Sequence, residues 1–356
     1  MSELFKILVV NPGSTSTKLA LFENEKLIAE KKATHSAQEI SQYPNIMDQL
    51  DLRRSVMDDF LKENSVSGKD LAAVVGRGGL LKPLLSGTYQ VSQDMVEDLK
   101  SGRYGEHASN IGGVLAYSFK QDYGTAAFIV DPVVVDELID EARLSGVSQI
   151  PRRSVWHALN IMAVVRQTCL KENLDIKKES FVVAHIGGGI SVAAIECGRC
   201  IDVSNGLEEG PFTPERAGKL PTLELASLCF SGKYTHAEVK KLLVGKGGLV
   251  NYLGTSALPE VQQKIEQGDE QSKLVLNSMC HQLAKEIGSY LVVLKGKANR
   301  VILTGGGAHN KLVTEKVSEY IKPFASITVV PGEDELSALA LGGLRVLRKE
   351  DSARNY

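Results

Sequence analysis

The stretch ILVVNPGSTSTKLALF, residues 7–22, decides the fold of this chain. Four apolar residues lead into Asn11-Pro12-Gly13, small hydroxyl side chains and Lys18 follow, and the chain is then apolar again. A buried strand, a turn and a returning strand form the opening of an antiparallel meander. Because turns of this kind present N–H groups and hydroxyls to an anion, the stretch predicts a phosphate-binding loop. A plain hairpin is the alternative.

Residues 181–201, FVVAHIGGGISVAAIECGRCI, repeat this pattern about half a chain later. Each copy has four apolar residues, one polar residue, a glycine two positions later, small residues, a second apolar segment and a polar turn. The copies align without a gap, which pairs Asn11 with His185, Gly13 with Gly187 and Leu21 with Ile195. An internal repeat of this length predicts two similar domains, each with its own phosphate-binding loop.

A third glycine-rich turn occurs in VILTGGGAHN, residues 301–310. An apolar strand enters Gly305-Gly306-Gly307, and an amphipathic helix is predicted over Lys311–Tyr320. Strand, glycine turn and helix suit the adenosine or the α-phosphate of a nucleotide, whereas an unliganded turn is the alternative. The phosphate-binding pattern G-x-x-x-x-G-K-[ST] is absent from the chain.

The composition narrows the class of protein. A length of 356 residues favours two domains, and a net charge of -2 gives no broad basic surface for nucleic acid. We find neither a membrane span nor a signal peptide, and five cysteines suit reduced thiols, so we expect a cytoplasmic protein. Cys197 and Cys200 form a C-x-x-C without a second pair, which makes a metal or redox site a minor alternative.

Together these motifs resemble the acetate and butyrate kinases, which belong to the superfamily of sugar kinases, actin and the heat-shock chaperone ATPases. The resemblance covers nearly the whole chain. It implies an α/β fold of two duplicated ribonuclease H-like domains with ATP in an interdomain cleft. Asn11 and His185 stand where most of the superfamily has Asp, as is typical of the acyl-phosphate-forming branch. Within that branch, NPGSTSTK, VVGRGG, VDPVVVDE and PRRSVWHALN are similar to the butyrate kinases.

The resemblance implies an activity and a domain organisation. We expect reversible, direct in-line phosphoryl transfer from ATP to butanoate, with Mg²⁺ as cofactor. Branched-chain acids, propionate and acetate are alternative acceptors. A sugar kinase and a non-enzymatic actin-like ATP-binding protein are more remote alternatives. We expect domains at 1–154 and 155–356, with a last helix at about 335–349 that packs back on the first domain, and a homodimer or larger homo-oligomer.

Four residues are candidates for catalysis. Arg77 ends an apolar strand and is flanked by glycines, and its planar guanidinium suits a carboxylate or a phosphoryl group. The resemblance implies that Arg77 and Arg216 contact the reacting groups, that Asp131 orients the arginines or the acceptor, and that His157 donates to the transferring phosphoryl group. A surface arginine, a turn-forming aspartate and a packed histidine are the structural alternatives.

The candidates for nucleotide and metal binding lie in the glycine turns and near the end of the chain. Lys18 should lie on the same face of the returning strand as Ser16. The resemblance implies that Asn11 holds a Mg²⁺-bound water, and that Asp334 or Glu335 helps to hold the metal; helix capping is the alternative for the two acids. The predicted nucleotide-binding residues are Asn11, Gly13, Ser14, Ser16, Lys18, His185, Gly187, Gly188, Gly189, Gly305, Gly306 and Gly307.

Overall fold

Two β-sheets with matching strand order organise residues 3–356, the part of the chain that this computed structural model describes. The chain divides into two compact units. Unit 1 runs up to Val135 and resumes at Asp334, and unit 2 extends from Asp136 to Glu333. Among the described residues, the helices are all too short or too polar to span a membrane.

Each sheet consists of a three-stranded antiparallel meander continued by two parallel strands. The strands are β1 (Lys6–Pro12), β2 (Ser16–Glu23), β3 (Lys26–Thr34), β4 (Ala73–Arg77), β5 (Thr88–Gln90), β6 (Ala126–Val130), β7 (Ser180–Ile186), β8 (Ile190–Glu196), β9 (Arg199–Val203), β10 (Arg300–Gly305) and β11 (Ile327–Pro331). The order is β3-β2-β1-β4-β6-β5 in unit 1 and β11-β10-β7-β8-β9 in unit 2. Apart from the additional antiparallel edge strand β5, the two orders correspond, so the predicted duplication is confirmed.

Thirteen α-helices connect the strands of the described residues, and some of them pack against the two sheets. They are α1 (Ala37–Ile40), α2 (Leu50–Glu63), α3 (Gln93–Ser101), α4 (Asn110–Tyr123), α5 (Asp140–Arg143), α6 (Ala158–Lys171), α7 (Thr222–Cys229), α8 (His236–Leu243), α9 (Leu249–Leu253), α10 (Leu258–Glu266), α11 (Glu270–Val293), α12 (Lys311–Ile321) and α13 (Glu335–Leu347). Local sequence sets their ends: Thr235 and Glu238 form a capping box at the start of α8, and Gly102 ends α3 in the left-handed region.

The turn between the first two strands is one residue shorter in unit 2. Residues 13–16 form the first predicted phosphate-binding loop (the first phosphate loop), and residues 187–189 form the second (the second phosphate loop). The gapless alignment is therefore wrong beyond the loops, and Leu21 corresponds to Ala194 rather than to Ile195. Bulges follow both residues, and the next turns contain Asn24 and Cys197 with φ of 53° and 52°. The repeat thus extends into the third strand once the shorter loop is taken into account.

The compact units differ from the predicted segments 1–154 and 155–356. Residues 136–154 lie in unit 2 because they bond to β9 and the loop after it. The backbone N–H of Ile139 donates to Ile201, and Arg152 donates to the carboxylates of Asp202 and Glu209, each at 3.0 Å. At the other end of the chain, α13 packs on β1, β4 and β6 of unit 1.

A close approach between β4 and α4 positions the strand end that carries Arg77. A Cβ atom on Gly76 would collide with the backbone carbonyl of Gly112. Gly79 is equally confined, because its Cβ would meet Asn110, the first residue of α4. Asn110 also accepts a hydrogen bond from Leu80 N at 2.8 Å. Gly76 and Gly79, on either side of Arg77, therefore allow the start of α4 to lie directly against the end of β4.

We predict that Gly76→Ala destabilises the protein by about 1–3 kcal/mol, because the added methyl group overlaps a backbone that cannot move independently of α4. Urea unfolding monitored by circular dichroism measures the effect. Gly288→Ala in α11 is the matched control, since nothing lies within 4 Å of its Cβ. Gly288→Ala should stabilise the protein by roughly 0.5–1 kcal/mol, because it removes a glycine from the middle of a helix. Equal unfolding midpoints for the two variants would contradict the close-approach argument.

Candidate active site

The first phosphate loop presents polar groups on one face of the β1–β2 hairpin. The N–H of Gly13 donates to the carbonyl of Ser16 at 2.8 Å and closes the loop. Thr17 is buried, whereas Lys18 is exposed on the opposite face and lies directly across from Asn11 in the strand register. Ser16, Lys18 and Asn11 thus follow the predicted alternation along the paired strands.

Arg77 and Asn11 meet on a single carboxylate. Arg77 ends β4 and forms an ion pair with Glu335, the first residue of α13. The amide nitrogen of Asn11 donates to the other Glu335 oxygen at 2.7 Å. The structure therefore brings a cation, an amide and an acid of unit 1 together beside the first phosphate loop.

Asp131 follows β6 and is buried in a strained backbone conformation. Its φ is 37°, a value that non-glycine residues rarely adopt, and its side chain is 1 % exposed. One carboxylate oxygen accepts the Gly87 N–H at 2.6 Å, and the Asp131 N–H donates to the Gly87 carbonyl at 3.0 Å. This pair of bonds holds the residue although its conformation is unfavourable, which is typical of functional sites.

The second phosphate loop is closed by a bond from Gly187 N to Gly189 O at 2.9 Å, as in the first loop. The Thr213 hydroxyl donates to the Gly188 carbonyl at 2.6 Å and so connects the loop to the segment that carries Arg216. The Arg216 guanidinium donates to the Gly206 carbonyl and lies so close to Gly189 that a side chain there would overlap it. Burial lowers the pKa of Arg216, and the nearby Glu215 acts in the opposite direction.

Two stacked imidazole rings flank the second phosphate loop. The rings of His157 and His185 are 3.9 Å apart between centroids and 10° from parallel. Nδ1 of His157 lies 2.9 Å from the Ser191 hydroxyl. Nδ1 of His185 lies 2.8 Å from the side-chain oxygen of Asn160, and its Nε2 lies 3.1 Å from a carboxylate oxygen of Glu333. Both nitrogens of His185 therefore face oxygen atoms of neighbouring side chains.

The third glycine turn lies against the strand that enters the second phosphate loop. Gly305 and Gly332 exchange backbone hydrogen bonds of 3.2 and 2.9 Å. A Cβ on Gly305 would lie 2.5 Å from the carbonyl oxygen of Ile186, the residue before Gly187. A short 3₁₀ turn at Gly306–His309 precedes α12. This helix begins at Lys311, as predicted. Within unit 2 the structure therefore gathers the second phosphate loop, His157, His185, Arg216 and Gly305-Gly306-Gly307.

The acids at 333–335 divide between different partners. Glu333 contacts His185, Asp334 accepts the Ser337 N–H at 3.0 Å as the N-cap of α13, and Glu335 contacts Asn11. No three acidic, histidine or cysteine side chains of the described residues cluster as a metal site. Mg²⁺ commonly takes only one or two carboxylates and completes its octahedron with phosphate oxygens and water. The oxygens of Glu335 and Asn11 beside a phosphate loop fit such an ion.

A cavity of about 220 Å³ opens beside His107 in unit 1. Ile46, Met47 and Leu99 form an apolar part of its lining, whereas the charged side chains of Asp48, Lys100 and Glu106 line the rest together with Asn45, Gly102, His107 and Asn110. Burial, followed by the positive charge of Arg77, lowers the pKa of His107, whose Nδ1 lies 2.8 Å from the Ser109 hydroxyl. The cavity thus joins an apolar wall to the neighbourhood of the Arg77 charge.

One residue that contacts the first phosphate loop directly is not among the predicted site residues. Arg53 of α2 is wholly buried, and it donates to the carbonyl oxygens of Gly13 and Ser16 at 2.9 and 3.0 Å. A signal was available, since Arg53 stands four and seven residues before Met57 and Phe60, on the buried side of the helix. A charged residue in an apolar stripe requires a polar partner, and here the loop backbone supplies it.

Known proteins resemble this chain in both sequence and fold. The acetokinase family model matches residues 152–351. Butyrate kinase 2 of Clostridium acetobutylicum is 49% identical over 353 residues, which cover 99% of this chain and 99% of that relative. Butyrate kinase 1 of the same organism is 48% identical over 354 residues, which cover 99% of this chain and 100% of the relative.

The fold agrees with a solved acetate kinase. The crystal structure of the Porphyromonas gingivalis enzyme superposes with a TM-score of 0.78 at 20% identity, over 96% of this chain and 100% of that one. This likeness confirms the predicted α/β fold of two duplicated ribonuclease H-like domains, and the relatives confirm the predicted resemblance. Its sequence and its fold together place this chain in the acetokinase family.

Proposed function

We propose that this protein is a butyrate kinase, which reversibly transfers the γ-phosphoryl group of ATP to butanoate and releases ADP and butanoyl phosphate. The observation that carries the proposal is the 49% identity, over 99% of both chains, to a protein named butyrate kinase 2. The motifs at the strand ends lend further support, since they supply the cations and N–H donors that such a reaction requires.

The chemistry needs charge stabilisation rather than a base. A carboxylate is already an anionic nucleophile, so its oxygen can attack the γ-phosphorus directly while the bond to the β-phosphate oxygen breaks. The difficulty is the repulsion between two anions and the charge on the transferring group. Arg77 has five N–H donors, and the ion pair with Glu335 leaves donors for the substrate carboxylate. We assign Arg77 and Arg216 to the reacting groups, and Asp131 to positioning.

The two histidines and the phosphate loops complete the proposed machinery. We assign His157 to donate a hydrogen bond to the transferring phosphoryl group, and His185 to fix the orientation of His157 through their stacked rings. Lys18, Ser14 and Ser16 of the first loop, and the N–H groups of the second, would bind phosphate oxygens. The turn at Gly305-Gly306-Gly307 would receive the adenosine or the α-phosphate.

We propose that Mg²⁺ is held by Glu335 and Asn11. Asp334 is the weaker of the two predicted acids, because its carboxylate caps α13. When bound, the ion neutralises charge on the β- and γ-phosphates. Glu335 would then release part of its contact with Arg77, so metal binding would free the guanidinium for the substrate carboxylate.

We predict that acyl phosphate formation, trapped as hydroxamate with ATP and Mg²⁺, peaks at four or five carbons in a panel of acetate, propionate, butyrate, isobutyrate and isovalerate. The apolar wall of the cavity at His107 suits such a chain. A peak at isobutyrate or isovalerate would identify a branched-chain kinase, and a peak at acetate would contradict the substrate assignment. Absence of product with every acid would reject carboxylate phosphorylation.

We further predict that Met47→Trp moves this optimum towards shorter acids, because a larger side chain in the cavity wall excludes carbons from the proposed alkyl pocket. One or two methylenes are worth about 1–3 kcal/mol in such a pocket. The ratio of kcat/KM for butyrate to that for propionate measures the change. An unaltered ratio in a variant with wild-type activity on propionate would place the alkyl chain elsewhere.

Arg77→Ala should lower kcat by about 100-fold or more while ATP still binds, because it removes a donor aimed at charge that develops in the transition state. Steady-state kinetics and calorimetric titration with ATP separate the two effects. Arg103→Ala is the control: its side chain is 71% exposed and lies 3.9 Å from Asp98. Near-normal turnover by Arg77→Ala would exclude the proposed role.

We also propose a homodimer or a larger homo-oligomer that is located in the cytoplasm. None of the residues of α7 is buried, although the helix is mostly apolar. Leu223 is 82% exposed, and Phe230, which follows the helix, is 91% exposed. Apolar surface of this kind commonly marks an interface.

A further inference from the structure

The charge of Arg53 is buried without a neutralising acid. Its relative exposure is 0%, and no carboxylate of the described residues lies within ion-pair distance of it. Burying a cation in this way is costly, so its hydrogen bonds must compensate. Burial lowers the pKa of Arg53, yet an arginine keeps its proton throughout the physiological range.

All five N–H donors of Arg53 have an acceptor. Nη1 donates to Ser16 O and to Thr17 Oγ1, each at 3.0 Å, and Nη2 donates to Gly13 O at 2.9 Å. Gln49 Oε1 accepts the two remaining bonds, from Nε at 3.2 Å and from Nη2 at 2.8 Å. Every acceptor is neutral. The guanidinium thus stays a full positive charge and is fixed by the backbone of the loop.

These bonds determine how the loop presents itself to a ligand. In a trans peptide, the carbonyl of one residue and the N–H of the next point in opposite directions. Because the Gly13 carbonyl points at Arg53, the Ser14 N–H points away from it, and Ser14 is exposed. Arg53 therefore fixes a backbone donor on the open side of the loop and adds an uncompensated positive charge behind it.

We propose that Arg53 is the positioning residue of the first phosphate loop, orienting its peptide N–H groups towards a polyphosphate and supplying positive potential from beneath. The inference rests on the proposed function only in taking ATP as the ligand of this loop. Arg53 itself does not touch the reacting atoms. It acts through Gly13, Ser16 and the Ser14 N–H.

Gln49→Glu separates charge from structure. The new carboxylate can accept the same two bonds from Arg53 and neutralise it, so packing and loop geometry are kept. We expect thermal stability to stay equal or rise, while the Kd for ATP with Mg²⁺ increases about tenfold, a factor that corresponds to roughly 1.4 kcal/mol. Gln121→Glu, on the exposed last turn of α4, adds the same charge at a distance and should leave both values unchanged.

Substitution of Arg53 tests the geometry. Arg53→Met should lower kcat/KM for ATP by up to about 100-fold, because displaced donors no longer match the phosphate. The KM for butanoate should stay near the wild-type value. Arg53→Lys keeps the positive charge but lacks the planar set of donors of arginine. Its kcat/KM for ATP should therefore lie between those of Arg53→Met and the wild-type protein. Arg54→Met is the matched control, since Arg54 binds Asp58 and Asp122 rather than the loop.

The outcomes are distinct. Wild-type ATP affinity in Gln49→Glu would overturn the electrostatic part of the proposal, and unchanged ATP kinetics in a folded Arg53→Lys would overturn the positioning part. If Arg53→Met fails to fold, Gln49→Glu still tests the electrostatic part and Arg53→Lys still tests the positioning part. A wild-type protein that binds ATP but forms no acyl phosphate would reject the proposed reaction and leave this inference standing. A wild-type protein that does not bind ATP would reject both.

Discussion

A backbone hydrogen bond within each phosphate loop fixes the geometry on which the candidate site depends. Gly13 N–H bonds to Ser16, and Gly187 N–H bonds to Gly189, so both turns close directly onto the returning strand. Closure sets the register of the meander, and the register decides that Asn11 lies opposite Lys18 and His185 opposite Ser191. Because side chains alternate along a strand, this register also decides which residues of β2 and β8 share a face with Asn11 and His185.

The two units stabilise equivalent loops by different means. In unit 1 a buried cation binds the loop carbonyls from beneath, whereas in unit 2 the hydroxyl of Thr213 binds the Gly188 carbonyl. The polar residue before each loop also differs: Asn11 donates to a carboxylate, and His185 stacks on a second ring. The two loops therefore share a backbone path, while the side chains that support them differ.

The antiparallel meander that opens each unit was predictable from the sequence because apolar alternation and glycine turns are local signals. The three-stranded meanders and the helix after residue 310 follow from them directly. The shorter length of the second loop could not be predicted from the sequence, because small residues fill both turns. Only the strand pairing shows that the second loop has one residue fewer than the first. The site was predictable where a polar residue ends an apolar strand, as with Arg77. For Arg53, the apolar stripe of α2 indicated a buried cation, but it did not identify the loop carbonyls of Gly13 and Ser16 as partners, because they are distant in sequence.

Unit 1 is assembled from two segments that flank unit 2, and this has a consequence for synthesis on the ribosome. The apolar side of α13, with Leu336, Leu339 and Leu344 buried, covers strands whose sequence was translated about two hundred to about three hundred residues earlier. All of unit 2 is therefore available to fold before the core of unit 1 can close. The unit whose synthesis begins first is completed last, and until then the nascent chain must keep an uncovered sheet face from aggregating.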